Sequence, residues 1–175
     1  MKQLFNRHII VNAVLFQLLW FAAVIGSAKG FVWPYLLFST LLIVWQLHPS
    51  HRHPSDLKVV AVAVVLGLII DTLFLQFNVF KFADSFPVEG ISPLWIILLW
   101  VGFALTVNHS MQWLNKHPLL PALASAIFAP LSYLAGLRLG AVEYHIDPLL
   151  VSAFISVPWA LALTILYTIA NTSNQ

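Results

Sequence analysis

Val59 to Phe80 reads VVAVAVVLGLIIDTLFLQFNVF, twenty-two residues with a single ionisable side chain, Asp71. A helix rises about 1.5 Å per residue, so this stretch is roughly 33 Å long and matches the ~30 Å hydrocarbon core of a bilayer. Five more apolar runs appear on either side: Ile9–Ser27, Phe31–Leu47, Pro93–Leu114, Leu119–Leu139 and Pro148–Ala170. Short segments separate them, at Ala28–Gly30, His48–Lys58, Lys81–Ser92, Asn115–His117 and Gly140–Asp147. None could hold a soluble domain. The pattern predicts an all-α polytopic membrane protein, a compact bundle of six transmembrane helices forming a single domain over residues 1–175. A membrane β-barrel is excluded because its strands alternate apolar and polar residues, whereas these runs are continuously apolar.

Composition agrees. Only 8% of residues are charged and 61% are hydrophobic, far from the roughly 25% and 45–50% of soluble domains. A formal net charge of +2 provides no clustered cationic footprint, so nucleic acid is not an expected partner. The absence of cysteine removes disulfides, thiolate catalysis and cysteine metal sites. His48, His51 and His53 share one loop, but the prolines at 49 and 54 keep them from the i, i+4 helical spacing of a metal pair. That loop reads as facing lipid headgroups; no metal and no cofactor is expected. Lys2, Arg7, Arg52, Lys58 and Lys116 fall on one side of the predicted bundle, and Lys29, Lys81 and Arg138 on the other. The excess places both termini in the cytoplasm. Lys2 and Arg7 ahead of an apolar run ending Gly26-Ser27-Ala28 also fit a secretory signal, but the run is longer than a signal's 7–15 apolar residues, so it reads as an uncleaved helix.

Thirteen of the fourteen charged residues lie between spans or at a span end; Asp71 does not. A carboxylate at a helix centre costs about 2.5–3.5 kcal/mol, so it must face protein or water. Gly67, Asp71, Phe74 and Asn78 share a face by their 3–4 spacing. On the fourth span the same spacing joins Trp95, Gly102, Thr106, His109 and Trp113, with Trp100, Asn108 and Ser110 beside them. Asp71 and His109 are the candidate catalytic groups, lying about one and a half turns apart in depth, too far for direct contact. Each also has a purely structural reading as a buried group hydrogen-bonded across helices. Trp100, Asn108, Trp113, Ser132, Tyr133 and Arg138 are the candidate substrate-binding residues. Glu143 or Asp147 is the expected partner of Arg138. On the fifth span Ser125, Ala129, Ser132, Gly136 and Gly140 form a small-residue stripe that suits close helix approach, with Gly136 and Gly140 as a possible homodimer seam. Pro130 interrupts that span and frees a carbonyl. Asn12 and Gln17 point to different sides of the first span and read mainly as helix cross-links.

Pro93-Leu94-Trp95, Leu99-Trp100, Phe103-Ala104, His109-Ser110 and Trp113-Leu114, followed by Pro130-Leu131-Ser132-Tyr133-Leu134-Ala135-Gly136 and Leu139-Gly140-Ala141, resemble a bacterial inner-membrane family of unknown function. Gly67, Asp71, Asn12 and Trp20 extend the resemblance over most of the chain. It implies a multi-pass protein of the bacterial inner membrane. It also implies proximity to cyclopropane-fatty-acid-synthase-like and other lipid-modifying enzymes, which favours lipid metabolism by association alone.

Three functions fit these residues. The first is binding or processing of a lipid or other amphipathic substrate in an intramembrane cavity, with membrane lipids as partners. The second is solute binding in a transport subunit, since six short spans also describe the substrate components of energy-coupling-factor transporters. The third is a non-catalytic assembly role, with Gly136 and Gly140 at the interface. Both catalysis and simple binding are compatible with the first.

Overall fold

The computed structural model describes residues 7–172; Lys2 lies outside them. Six α-helices follow one another as α1 (Arg7–Ala28), α2 (Trp33–Leu47), α3 (Asp56–Gln76), α4 (Leu94–Val107), α5 (Leu120–Arg138) and α6 (Pro148–Thr172). The protein is all-α, as its hydropathy requires. Four of these helices, α1, α3, α5 and α6, are long and apolar enough to cross a membrane. Their outer faces expose large hydrophobics such as Ile10, Leu18, Ile69, Ile127 and Leu161, which suits a hydrocarbon surround.

The two remaining helices are shorter than their apolar runs. Helix α2 has 15 residues, starting beside Pro34 and ending before His48-Pro49. Helix α4 has 14 residues and stops at Val107, seven residues before the expected end of its span. Beyond it the chain turns through Asn108–Met111 into a short 3₁₀ helix at Gln112–Lys116. The physical reason lies in the three consecutive polar residues Asn108, His109 and Ser110. Continuing the helix would point them around its circumference, whereas the turn lets all three reach partners on α1, α2 and the start of α3. The stripe expected from Trp95 to Trp113 is therefore broken after Thr106.

Helix α4 is apolar nearly all round and occupies the middle of the bundle, packing against α1, α2, α3 and α6. Its approach to α3 depends on Gly67, where an added Cβ would come within 2.4 Å of the Trp100 ring. A Gly67→Ala substitution must push the indole away, and overpacking of this kind costs about 1–3 kcal/mol. We expect a lowered midpoint of thermal unfolding in detergent; an unchanged midpoint would show that α3 and α4 separate freely at this height.

A small antiparallel ribbon, unexpected from the sequence, closes the end of the bundle opposite Arg7. It pairs β1 (Phe80–Phe82) with β2 (Val142–Tyr144), setting Lys81 opposite Glu143. Both strands alternate, burying Phe80, Phe82 and Val142 while Lys81 and Glu143 face out. Gly140 serves this return of the chain: it sits beyond α5 with φ +79°, a left-handed conformation, and Ala141 N–H donates to Gly136 O at 2.9 Å. Gly140 is therefore a helix terminator, and Gly136 lies against Val142 of the ribbon.

Candidate functional site: a cavity beside the central helix

Helix α5 packs along α6, and α1 packs along α2 and α4, but α1 and α5 stand apart. Between them lies a cavity of about 680 Å³, within the size range of small-molecule sites. The Ala13, Phe16, Gln17, Trp20 and Val24 stripe of α1 forms one side. Ser125, Ala129, Ser132 and Gly136 of α5 form the opposite side, so the small-residue stripe makes room for the cavity here. Trp95, Trp100 and Phe103 of α4, with Trp159 of α6, form the deep wall. Trp100 and Trp159 stack with centroids 4.1 Å apart and planes within 17°. Aromatic faces and methyl groups dominate the lining; Gln17, Ser110, Ser125, Ser132 and Tyr133 bring polar groups to it.

Asp71 stands behind this wall. It is fully buried and does not line the cavity. The Trp100 indole N–H donates to Asp71 Oδ2 at 2.7 Å, and the Tyr133 hydroxyl donates to Oδ1. One carboxyl group thereby fixes two cavity-lining rings on different helices. The Trp159 indole N–H lies near the Tyr133 hydroxyl but does not reach hydrogen-bond geometry with it.

At the end of the bundle nearest Arg7, a second polar centre gathers around Asp56 at the first turn of α3. Asp56 Oδ2 accepts the His53 backbone N–H at 2.7 Å, and Oδ1 accepts the Asn108 amide at 2.8 Å. His109 Nε2 lies 3.2 and 3.0 Å from the two oxygens, the one ion-pair geometry among the described residues. The Gln46 side-chain amide nitrogen approaches the same imidazole nitrogen at 2.9 Å. Asn12 continues the chain of contacts: its amide donates to Gln46 Oε1 at 2.7 Å and to Leu105 O at 2.9 Å, and Ser110 Oγ donates to its carbonyl at 2.6 Å. Ser110 also borders the cavity, which joins this centre to the cavity's lower end. The imidazoles of His8 and His51 lie nearby with centroids 4.5 Å apart and planes tilted by 33°, and His8 meets His109 edge-on at 5.5 Å. Among the described residues no cluster of ligating side chains is arranged to hold a metal ion.

Of the residues singled out by sequence, Trp100, Trp113, Ser132 and Tyr133 line the cavity. Asp71 and His109 belong to separate centres and do not meet. Asn108 lies outside the cavity, bonded to Ser55 and Asp56. Arg138 is exposed at the end of α5, outside the cavity, and forms no ion pair with Glu143 or Asp147. Sequence reading missed Asp56, Gln46 and Trp159. Asp56 has the look of an ordinary helix-start acid after Ser55, and its second role depends on His109, fifty-three positions away. Trp159 follows Pro158 inside α6, and nothing local points it at Trp100.

A gap in the wall completes the geometry. Ala13 and Gln17 on α1, Trp113 on the 3₁₀ helix and Phe128 on α5 are exposed and also line the cavity, so they frame a window between α1 and α5. Above it the Trp20 indole N–H donates to Ser132 Oγ at 2.8 Å, a polar bar between the two helices.

No curated protein and no solved structure matches this chain. The model of a family described as a protein of unknown function (DUF2878) matches residues 9–165 of the 175, and the chain belongs to that family.

Proposed function

We propose that this protein binds an amphipathic molecule in the cavity between α1, α4, α5 and α6, and does so as a six-helix bundle of the bacterial inner membrane with both termini cytoplasmic. The observation that carries this reading is the cavity itself, about 680 Å³ of space lined chiefly by aromatic and aliphatic side chains. Apolar space of that size is filled well by a hydrocarbon chain, and the few polar groups at its edge suit a small polar end. A water-borne solute would leave most of that lining unmatched, and a purely structural bundle gains nothing from an unfilled interior. Asp71 acts in this reading as a positioning residue, holding Trp100 and Tyr133 in the wall without touching the ligand. His109 and Asp56 form the polar centre beside the cavity's lower end, where Ser110 links them to it.

Titration of the purified protein in detergent with dansylundecanoic acid tests the proposal. Saturable one-to-one binding is expected, weakened about tenfold or more by Ala129→Phe, whose ring would project into the cavity. Absence of saturable binding, or binding indifferent to Ala129→Phe, would overturn it.

A further inference from the structure

We propose that the window between α1 and α5 admits an acyl chain sideways from the membrane, so that the ligand class is a bilayer-resident lipid of the leaflet adjoining Arg7. The inference rests on the cavity being a ligand site and adds where the ligand comes from.

Depth is the first argument. Ala13 and Gln17 are six and ten residues into α1, roughly 9 and 15 Å from its start, and Phe128 is eight residues into α5, roughly 12 Å from its start. Helices α1 and α5 begin at the same end of the bundle, so these residues frame an opening at hydrocarbon depth. Around it the helix surfaces are apolar and exposed, with Val14 and Leu18 on α1 and Leu123 and Ile127 on α5. The medium at the mouth is therefore acyl chain, and whatever occupies an apolar cavity open to that medium is continuous with it. Gaps lined by apolar atoms lose their contacts if left empty, which favours entry of a chain over a void.

The rim provides the second argument. Gln17 is exposed at this depth, and its side-chain amide forms no hydrogen bond with the described residues. An amide facing hydrocarbon without a partner is costly. An ester or carboxyl carbonyl at the head of a chain inserted through the window would accept from it. The Trp20–Ser132 hydrogen bond bounds the opening above, and Trp113 bounds it below at the level where indoles favour the interface. A chain therefore enters with its polar end toward the Arg7 side.

The test uses full-length protein reconstituted into phosphatidylcholine vesicles containing a trace phospholipid with a diazirine in its acyl chain. After irradiation, mass spectrometry locates the adducts. Adducts on the deep-wall residues Phe103 and Trp159 are expected in the wild type and in Val14→Trp, a control that alters the lipid-facing surface outside the window. Ala13→Trp and, independently, Gln17→Trp narrow the window and should lower deep-wall labelling about tenfold with unchanged thermal unfolding. Deep-wall labelling that survives both variants would overturn the lateral route. If the wild type shows none, equilibrium binding of dansylundecanoic acid in detergent separates the two failures: with saturable binding present, only the window proposal falls, and without it the cavity reading falls as well.

Discussion

Asp71→Ala should lower the stability of the bundle by about 2–5 kcal/mol, because it strands two buried donors at once. The Trp100 indole N–H and the Tyr133 hydroxyl both end on this carboxyl group, and among the described residues neither has another hydrogen bond to fall back on. Each unsatisfied group costs roughly 1–3 kcal/mol where water cannot reach it. Hydrogen bonds between membrane helices average nearer 0.6 kcal/mol, since the unfolded chain in the membrane finds partners too, and this pulls the expectation toward the lower half of the range. Asp71→Asn separates structure from function. An asparagine fills the same volume, accepts from Trp100 through Oδ1 and donates to the Tyr133 oxygen through its amide; only the Tyr133 O–H loses its acceptor, so the loss of stability should be about half that of Asp71→Ala. Thermal unfolding in detergent reads the first effect, and dansylundecanoic acid binding reads the second. If Asp71→Ala unfolds at the wild-type midpoint, the carboxyl group does not hold the wall. If Asp71→Asn is stable and binds normally, Asp71 serves the wall alone; if it is stable and binding is lost, the carboxyl group matters to the ligand directly.

Asp56→Ala should cost about 2–4 kcal/mol and should act locally first. Its two oxygens accept from the His53 backbone and the Asn108 amide and face His109 Nε2, tying the 48–55 loop to the turn that ends α4. Removing it frees three groups, although their position at the end of the bundle lets water satisfy some of them. Hydrogen exchange is the discriminating measurement. Amides in 48–58 and 106–112 should lose protection in Asp56→Ala while the middle of α6 keeps it. Asp56→Asn should be milder, about 1 kcal/mol, because an amide can retain the His53 bond and donate to an imidazole whose proton has moved to Nδ1. Uniform loss of protection throughout the bundle in Asp56→Ala would show that this centre is a global support and not a local clasp.

These two carboxylates were unequally visible in the sequence. Asp71 stands out because a charge within an apolar run violates the energetics of hydrocarbon, and that violation can be read from the residues alone. Asp56 breaks no such rule. An acid at a helix start is favourable by itself, and only folding reveals that it also meets His109, which itself leaves the expected helix to do so. The end of α4 shows the limit of hydropathy: the window from Pro93 to Leu114 is apolar enough on average to read as one span, but three adjacent polar side chains near its end turn the backbone toward their partners. The ribbon was missed for a different reason. Phe80-Lys81-Phe82 and Val142-Glu143-Tyr144 both alternate, but three residues are too few to register as strands until the helices bring them together.

Helix class and membrane affinity were decided by the sequence, because burial of long apolar runs depends on composition and length and hardly at all on which run meets which. The same holds for the inward orientation of Asp71. Which side chains close around it, the standing apart of α1 and α5, and the cavity between them were decided only by tertiary structure. Those features depend on a few distances between residues remote in the chain: Trp100 on Gly67, Trp159 on Trp100, and Trp20 reaching Ser132. Hydrophobicity specifies the face a helix turns from its solvent, whereas the shape left between such faces depends on how particular side chains pack.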